Sequence, residues 1–253
     1  MRRFLPLVLA AVLSLLATAC DVAPEHPDTA VKDPLLAWTV GSVDSCGATA
    51  DEVRAQAAGL VAHGLRDRGF RTLLILCDGD PAVLHDGAVS SSLAAQGLTL
   101  RSARRGSRLA RASIMASMPR VESLRTAVTR NVMKAEPLVF GGNIDQLPAE
   151  NLAVVSNPSV LALALDDRGA PGGVVAGDAE VESRAVGQTG LLVSLTNGSG
   201  APREVSVALD ALNLAGSDSV PATDVWTGQR IVSADGRLSM ILASGDSALL
   251  RIG

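Results

Sequence analysis

Residues 126–169 read TAVTRNVMKAEPLVFGGNIDQLPAENLAVVSNPSVLALALDDRG, and the order of elements in this stretch decides the fold class. A helix runs into an all-apolar strand at Pro137–Phe140. A loop and a second helix follow, and then an apolar run that closes on Asp166-Asp167-Arg168-Gly169. Apolar runs this short, bounded by Gly and polar turn residues and flanked by helical periodicity, predict buried strands in an α/β layer.

Downstream the pattern changes. Leu191, Val193 and Leu195 alternate with more polar neighbours, as do Val205, Val207 and Leu209, then Leu238, Met240 and Leu242, with Leu249 and Ile252 closing the series. Turn clusters at Asn197-Gly198-Ser199-Gly200 and Ser244-Gly245-Asp246 separate these period-two runs, which predicts an antiparallel β-domain. Upstream, Thr49-Ala50-Asp51-Glu52 is a capping box. It opens a helix whose apolar face is Val53, Ala57, Leu60, Val61 and Gly64, and that helix leads to a buried strand at Thr72–Leu76.

These segments resemble family 27 glycoside hydrolases, the α-galactosidases and α-N-acetylgalactosaminidases. The family's barrel ends K-A-P-L-L-I-G-x-D, a helix, then N-x-x-V-I-A-x-N-Q-D-x-x-G. Here Asn157, Val160, Ala162, Asp166 and Gly169 keep the spacing, Asn143 replaces the first Asp, and Ala164-Leu165 replace Asn-Gln. Asp224-Val225-Trp226-Thr227-Gly228 and the terminal S-A-L-L-R-I are similar to the close of the family's C-terminal β-sandwich, with Asn197 at one of its turns. Near the start, Trp38 and Cys46 keep the spacing of the family's opening motif, with Thr39 in place of its Asn and Val40 or Gly41 in place of its second Trp. Gly64-Leu65…Gly69-Phe70 and His85-Asp86-Gly87…Gly97-Leu98-Thr99-Leu100 continue the match. The resemblance implies α/β plus all-β architecture: an incomplete (β/α) barrel-derived domain over residues 36–169, then an antiparallel β-sandwich over 174–253.

Length makes the barrel incomplete. An eight-stranded βα barrel takes about 200–250 residues, and the stretch from Trp38 to Leu147 is far shorter. Strands equivalent to the first, second, third and eighth are expected, with the fourth through seventh collapsed into Ala103–Val121. In the family the missing strands carry the catalytic pair, a nucleophile in a K-Y-D motif and an acid/base Asp. Residues 101–121 contain no Asp or Glu and no such motif occurs, so neither role transfers to a residue here. The family's sugar-binding I-D-D-C becomes Ile75-Leu76-Cys77-Asp78-Gly79-Asp80. The clustered carboxylates near a strand end are therefore Asp78, Asp80 and Asp86, the candidates for a re-sited catalytic pair. Turn chemistry is the alternative for Asp78 and Asp80. Trp38 is the one aromatic at a family pocket position, with core packing as its alternative; Trp226 is expected to pack within the β-domain. With no Tyr, two Trp and three Phe in the chain, flat faces for sugar stacking are scarce.

The N-terminus points to export. Met1-Arg2-Arg3 is a charged start, Phe4–Leu16 an apolar stretch too short for the ~20 residues of a membrane helix, and Ala17-Thr18-Ala19-Cys20 resembles a bacterial lipobox. An ordinary signal cleavage before Cys20 is the alternative. Residues 1–19 are thus expected as a lipoprotein signal peptide. Cys20 is expected to be lipidated and membrane-tethered on the extracytoplasmic side, with residues 20–35 as a flexible tether rich in proline and alternating charge. Cys46 and Cys77 then remain as an even pair in an oxidising compartment, and they stand at positions the family joins as a disulfide. A zinc site is the rival reading, but His26, His63 and His85 show no ligand spacing.

Net charge of −4 gives no reason to expect a nucleic-acid partner. The local run Arg101, Arg104, Arg105, Arg108 and Arg111 reads as a solvated face, with binding of an anionic polymer or headgroup as the alternative. No cofactor or metal is expected, the oligomeric state is open, and the ligand class implied by the resemblance is galactosides. The expected function is an exported lipoprotein derived from an α-galactosidase, catalytically inactive and carbohydrate-associated. The alternative is an active O-glycosyl hydrolase with re-sited carboxylates.

Overall fold

The computed structural model describes residues 36–41, 46–165, 170–214, 216 and 219–253. The leader, Cys20, the tether and Asp166–Gly169 lie outside them. The expected portions 36–169 and 174–253 are two architectures within one compact unit, Asp33–Gly253.

The first is a sheet of parallel strands: β1 (Leu36–Thr39), β2 (Thr72–Leu76), β3 (Thr99–Ala103), β4 (Ser113–Met115) and β5 (Leu138–Gly141). They are ordered β3-β2-β1-β5-β4, with every neighbouring pair parallel. Pairing stops at β3 and β4, so the wall is an arc rather than a closed barrel. This corrects the strand count. A fifth strand, β4, survives inside the interval expected to be collapsed, registered Ile114 to Phe140 against β5. Three residues with only Ile114 buried, set between arginine-rich and proline segments, carry too little periodicity to announce a strand.

Helices α1 (Ala50–Ala62), α2 (Gly87–Ala95), α4 (Val121–Met133), α5 (Ala149–Val155) and α6 (Pro158–Leu165) supply the main core. The expected capping box opens α1: Thr49 Oγ1 accepts from Glu52 N, and the Thr49 amide donates to Glu52 Oε2 at 2.7 Å. Because side chains alternate across a strand, one face of the sheet (Leu36, Trp38, Leu73, Ile75, Phe140) packs with Val53, Leu60, Leu93 and Val128 of the helices. The opposite face (Ala37, Leu74, Leu76, Val139) is joined by Leu109 from the short α3 (Arg108–Arg111). That face would line the inside of a closed barrel. Burial on both sides explains why TLLIL and LAWT read as continuous apolar runs.

The second architecture is antiparallel. Strands β6 (Gly173–Val175), β7 (Asp178–Val186), β8 (Gly190–Thr196), β10 (Pro221–Asp224), β11 (Arg230–Val232) and β13 (Ser247–Ile252) form a sheet ordered β11-β10-β13-β8-β7-β6. Strands β9 (Arg203–Ala208) and β12 (Arg237–Leu242) form the second layer. Val193, Leu195, Leu250 and Ile252 meet Val205, Val207 and Leu238 between them. Leu249 corrects the expected grouping. It faces the other way from Ile252 and joins Leu192 in the core shared with the helices.

Helix α4 is the strut between the two architectures. Arg125 Nη1 donates to both carboxylate oxygens of Asp246 at 3.0 and 2.7 Å, and Thr126 Oγ1 donates to Gly245 O at 2.8 Å. Trp226 Nε1 donates to Thr129 Oγ1 at 3.1 Å, so this tryptophan spans the joint instead of packing only within the β-domain. At the helix's C-terminal end, buried Arg184 of β7 donates to Val132 O, and the Gly172 amide donates to Met133 O at 2.7 Å. Carbonyls that the helix leaves unpaired are thereby satisfied from the sandwich side. Burial pushes the Asp246 carboxyl above the usual carboxylate range, against the opposing pull of Arg125.

Candidate functional site

Ligands of βα sheets sit outside the carboxyl ends of the strands, so the candidate site is that edge of the parallel sheet. Its principal loop, Cys77-Asp78-Gly79-Asp80, leaves β2. Cys77 is bonded to Cys46 with Cα atoms 5.1 Å apart, the pairing expected from the resemblance. Gly79 sits close under this bridge: its amide lies 3.2 Å from Cys77 Sγ, and a Cβ on it would meet Cys46 Sγ at 3.4 Å.

Each candidate carboxylate has a partner. Asp78 Oδ1 accepts from the Arg105 amide at 3.0 Å, and its Oδ2 lies 3.4 Å from Arg105 Nε, which ties the end of β2 to the turn after β3. Asp80 Oδ2 is 2.8 Å from His85 Nε2, in a largely exposed carboxylate–imidazole pair. Asp86 Oδ1 accepts from the Ala88 and Val89 amides at 2.8 and 3.1 Å and is the N-cap of α2. The carboxylate–imidazole pair was missed from sequence. Its only signal was a Pro81 turn returning the chain toward Asp80 within one short 3-10 segment, Ala82–His85.

Trp38 is corrected as a substrate-binding platform. It is 0% exposed, with ring centroids 6.2 Å from Phe70 and 6.0 Å from Phe140, and its Nε1 donates to Gly142 O at 3.0 Å. Both its faces and its polar handle are engaged inside the protein, so it sets the position of the β5 exit instead of offering a stacking surface. Asn143, at the family's first Asp, caps a 3-10 turn by accepting from the Asp145 amide at 3.2 Å. His63, exposed at the C-terminal end of α1, lies 3.2 Å from Asp145 Oδ1. Three of the five arginines of the basic run make local bonds: Arg105 meets Asp78, Arg108 meets Glu136 at 2.7 Å, and Arg111 donates to Gly106 O.

The interior face at this edge is tightly closed. A Cβ on Gly141 would meet Thr39 Oγ1 at 2.6 Å, closer than real side-chain contacts, so β1 and β5 leave no space between these positions. Chemically, the edge offers one exposed carboxylate–imidazole pair able to relay a proton, and one carboxylate held by an arginine.

Residues 176–252 match the alpha galactosidase C-terminal beta sandwich domain. No match was found among curated proteins. Among solved structures, the chain is similar to alpha-galactosidase I from Mortierella vinacea at TM-score 0.63 and 10% identity, covering 87% of this chain and 96% of that one. A provisionally described alpha-galactosidase from Bacteroides fragilis NCTC 9343 gives TM-score 0.65 at 11% identity, over 87% of this chain and 79% of that one. The alpha-galactosidase from Saccharomyces cerevisiae, solved with raffinose, gives TM-score 0.50 at 14% identity, over 76% and 74%. At such identities the likeness is one of fold, and it extends across both architectures. The chain therefore has the fold of these α-galactosidases, and its residues 176–252 match the C-terminal β-sandwich domain of that family.

Proposed function

We propose that this protein is an exported, lipid-anchored module that associates with carbohydrate through an α-galactosidase fold and does not hydrolyse it. The observation that carries this reading is the open parallel sheet, which ends at β3 and β4. A retaining glycosidase needs two carboxyl groups about 5–5.5 Å apart across the scissile bond. The strands that would hold such a pair opposite β1 and β2 are absent from the arc, and Leu109 of α3 packs on the face that would line the barrel. Asp78 and Asp86 are committed to an arginine and to a helix cap. The raffinose-bound yeast structure supports galactosides as the ligand class for the fold.

The disulfide supports an oxidising, extracytoplasmic location. Cys20 would carry the lipid, which fatty-acid analogue labelling tests directly: the native chain takes the label and Cys20→Ser does not.

Assay of the purified protein on nitrophenyl α-galactosides and α-N-acetylgalactosaminides tests the central reading, and no turnover above the buffer rate is expected. The second reading, a re-sited hydrolase, is favoured by the Asp80–His85 pair at 2.8 Å. Turnover abolished by Asp80→Asn would establish it in place of the first.

A further inference from the structure

A second concavity lies away from the strand ends, where α6 diverges from the outer face of the six-stranded sheet. It encloses about 650 Å³, within the range of small-molecule sites and at a junction of two layers, where such sites concentrate. The α6 wall presents Ser159, Ala162 and Leu163, and the sheet presents Thr223, Val225 and Arg251. Leu163 and Val225 are buried and form an apolar floor. At the rim, Gly187 and Gly228 have positive φ (59° and 73°), and a Cβ on either would meet nothing within 4 Å, so the approach is open.

Arg251 gives the cleft its chemistry. It alternates with Leu250 and Ile252, which point into the sandwich, so its side chain emerges on the same face as Leu249, toward α6. Among the described residues it has neither an ion-pair nor a hydrogen-bond partner. Neither lining carboxylate pairs with it: Asp224 is 5% exposed, with Oδ1 accepting from the Trp226 amide at 3.2 Å and Oδ2 from Thr227 Oγ1 at 2.6 Å, and the carboxylate of Gly253, which also lines the cleft, makes no ion pair with Arg251 among the described residues. An unpaired guanidinium at the edge of an apolar cleft, with the hydroxyls of Thr223 and Ser159 nearby, is suited to a carboxylate on a polyhydroxylated ring. A phosphate is a poorer fit. It calls for further cations or free helix amides, and the first amides of α6, Ser159 and Val160, already donate to Asn157 Oδ1 at 3.1 and 3.2 Å.

We infer that this cleft binds a small acidic sugar of the hexuronate type, its carboxylate held by Arg251, its hydroxyls by Thr223 and Ser159, and its apolar ring face by Leu163 and Val225. The inference rests on the cleft alone and stands whether or not the strand-end edge binds galactosides.

Titration calorimetry of the full chain with glucuronate, galacturonate, glucose, galactose and inorganic phosphate tests it. A uronate is expected to bind in the millimolar range or tighter, with the matching neutral hexose and phosphate weaker by roughly tenfold or more. Arg251→Ala should abolish the uronate signal, and Arg251→Lys should keep only part of it, since an ammonium lacks the planar fork. Ala162→Trp, on the exposed side of α6, should block the cleft while leaving the melting temperature unchanged. The inference is overturned if no uronate binds, if neutral hexose or phosphate binds as well as the uronate, or if uronate binding survives Arg251→Ala. Galactose binding indifferent to Arg251→Ala belongs to the strand-end edge and bears on the proposed function only.

Discussion

The parallel arc and the antiparallel sandwich meet a shortened chain differently. In the sandwich, β7 returns directly into β8 through Gly187–Thr189, and the pairing from Val181–Leu195 to Val186–Gly190 is made between neighbours in sequence. In the arc, each parallel pair needs a crossover, and closure of the ring needs all of them at once. A chain too short for every crossover therefore leaves β3 and β4 as unpaired edges while the sandwich stays whole. Local pairing survives loss of length; ring closure does not.

The largest test of this contrast removes the centre of the arc. Trp38→Ala removes the third ring of the cluster it forms with Phe70 and Phe140 and orphans Gly142 O, and a loss of about 3–5 kcal/mol in urea unfolding is expected. Because α4 binds both architectures, fluorescence from Trp226 should report the loss in the same transition. A Trp226 signal that melts at the native denaturant concentration would show that the sandwich stands alone.

Replacing Cys46 and Cys77 together by alanine should cost about 3–4 kcal/mol, because the bridge closes a sequence separation of 31. The effect should fall on the arc, which lacks the hairpins that hold the sandwich together. Equal loss of hydrogen-exchange protection in β7 and β8 would contradict that.

Asp86→Ala removes a helix cap and should lower the thermal stability by about 1 kcal/mol, with no change in any sugar binding. Loss of binding without loss of stability would return Asp86 to the site.

The smallest effect concerns the joint. Asp246 binds its proton more tightly in the fold than in the unfolded chain, where its pKa is near 3.8. Between that value and its raised folded value, the folded state holds more protons, so stability falls as pH rises. Chemical denaturation of the native protein and of Asp246→Asn should show their difference moving against the native protein as pH climbs above about 4, then levelling. The opposite slope would mean that the pull of Arg125 exceeds the cost of burial.

Much of the fold was legible in residues 49–76 and 190–252, because caps, turn clusters and period-two alternation are written within a few positions. The candidate site was legible in part. The Asp78-Gly79-Asp80 loop does stand at a strand end beside the disulfide, but which carboxylate is occupied depends on Arg105 and His85, and neither pairing has a periodic signal. The position of Trp38 suggested a pocket, and only the approach of Phe70 and Phe140 made it core.

What the sequence determined by itself was the succession of elements, the class of each layer and the identity of the sandwich, since hydrogen bonding along a helix or hairpin is satisfied by near neighbours. Tertiary structure decided the rest: that β4 joins β5, that α3 covers the face a barrel would enclose, that Leu249 turns toward α4, and that the Arg251 side chain has no ion-pair partner among the described residues beside an open cleft. Burial and charge pairing depend on what a distant segment brings opposite a residue, and no local pattern encodes that partner.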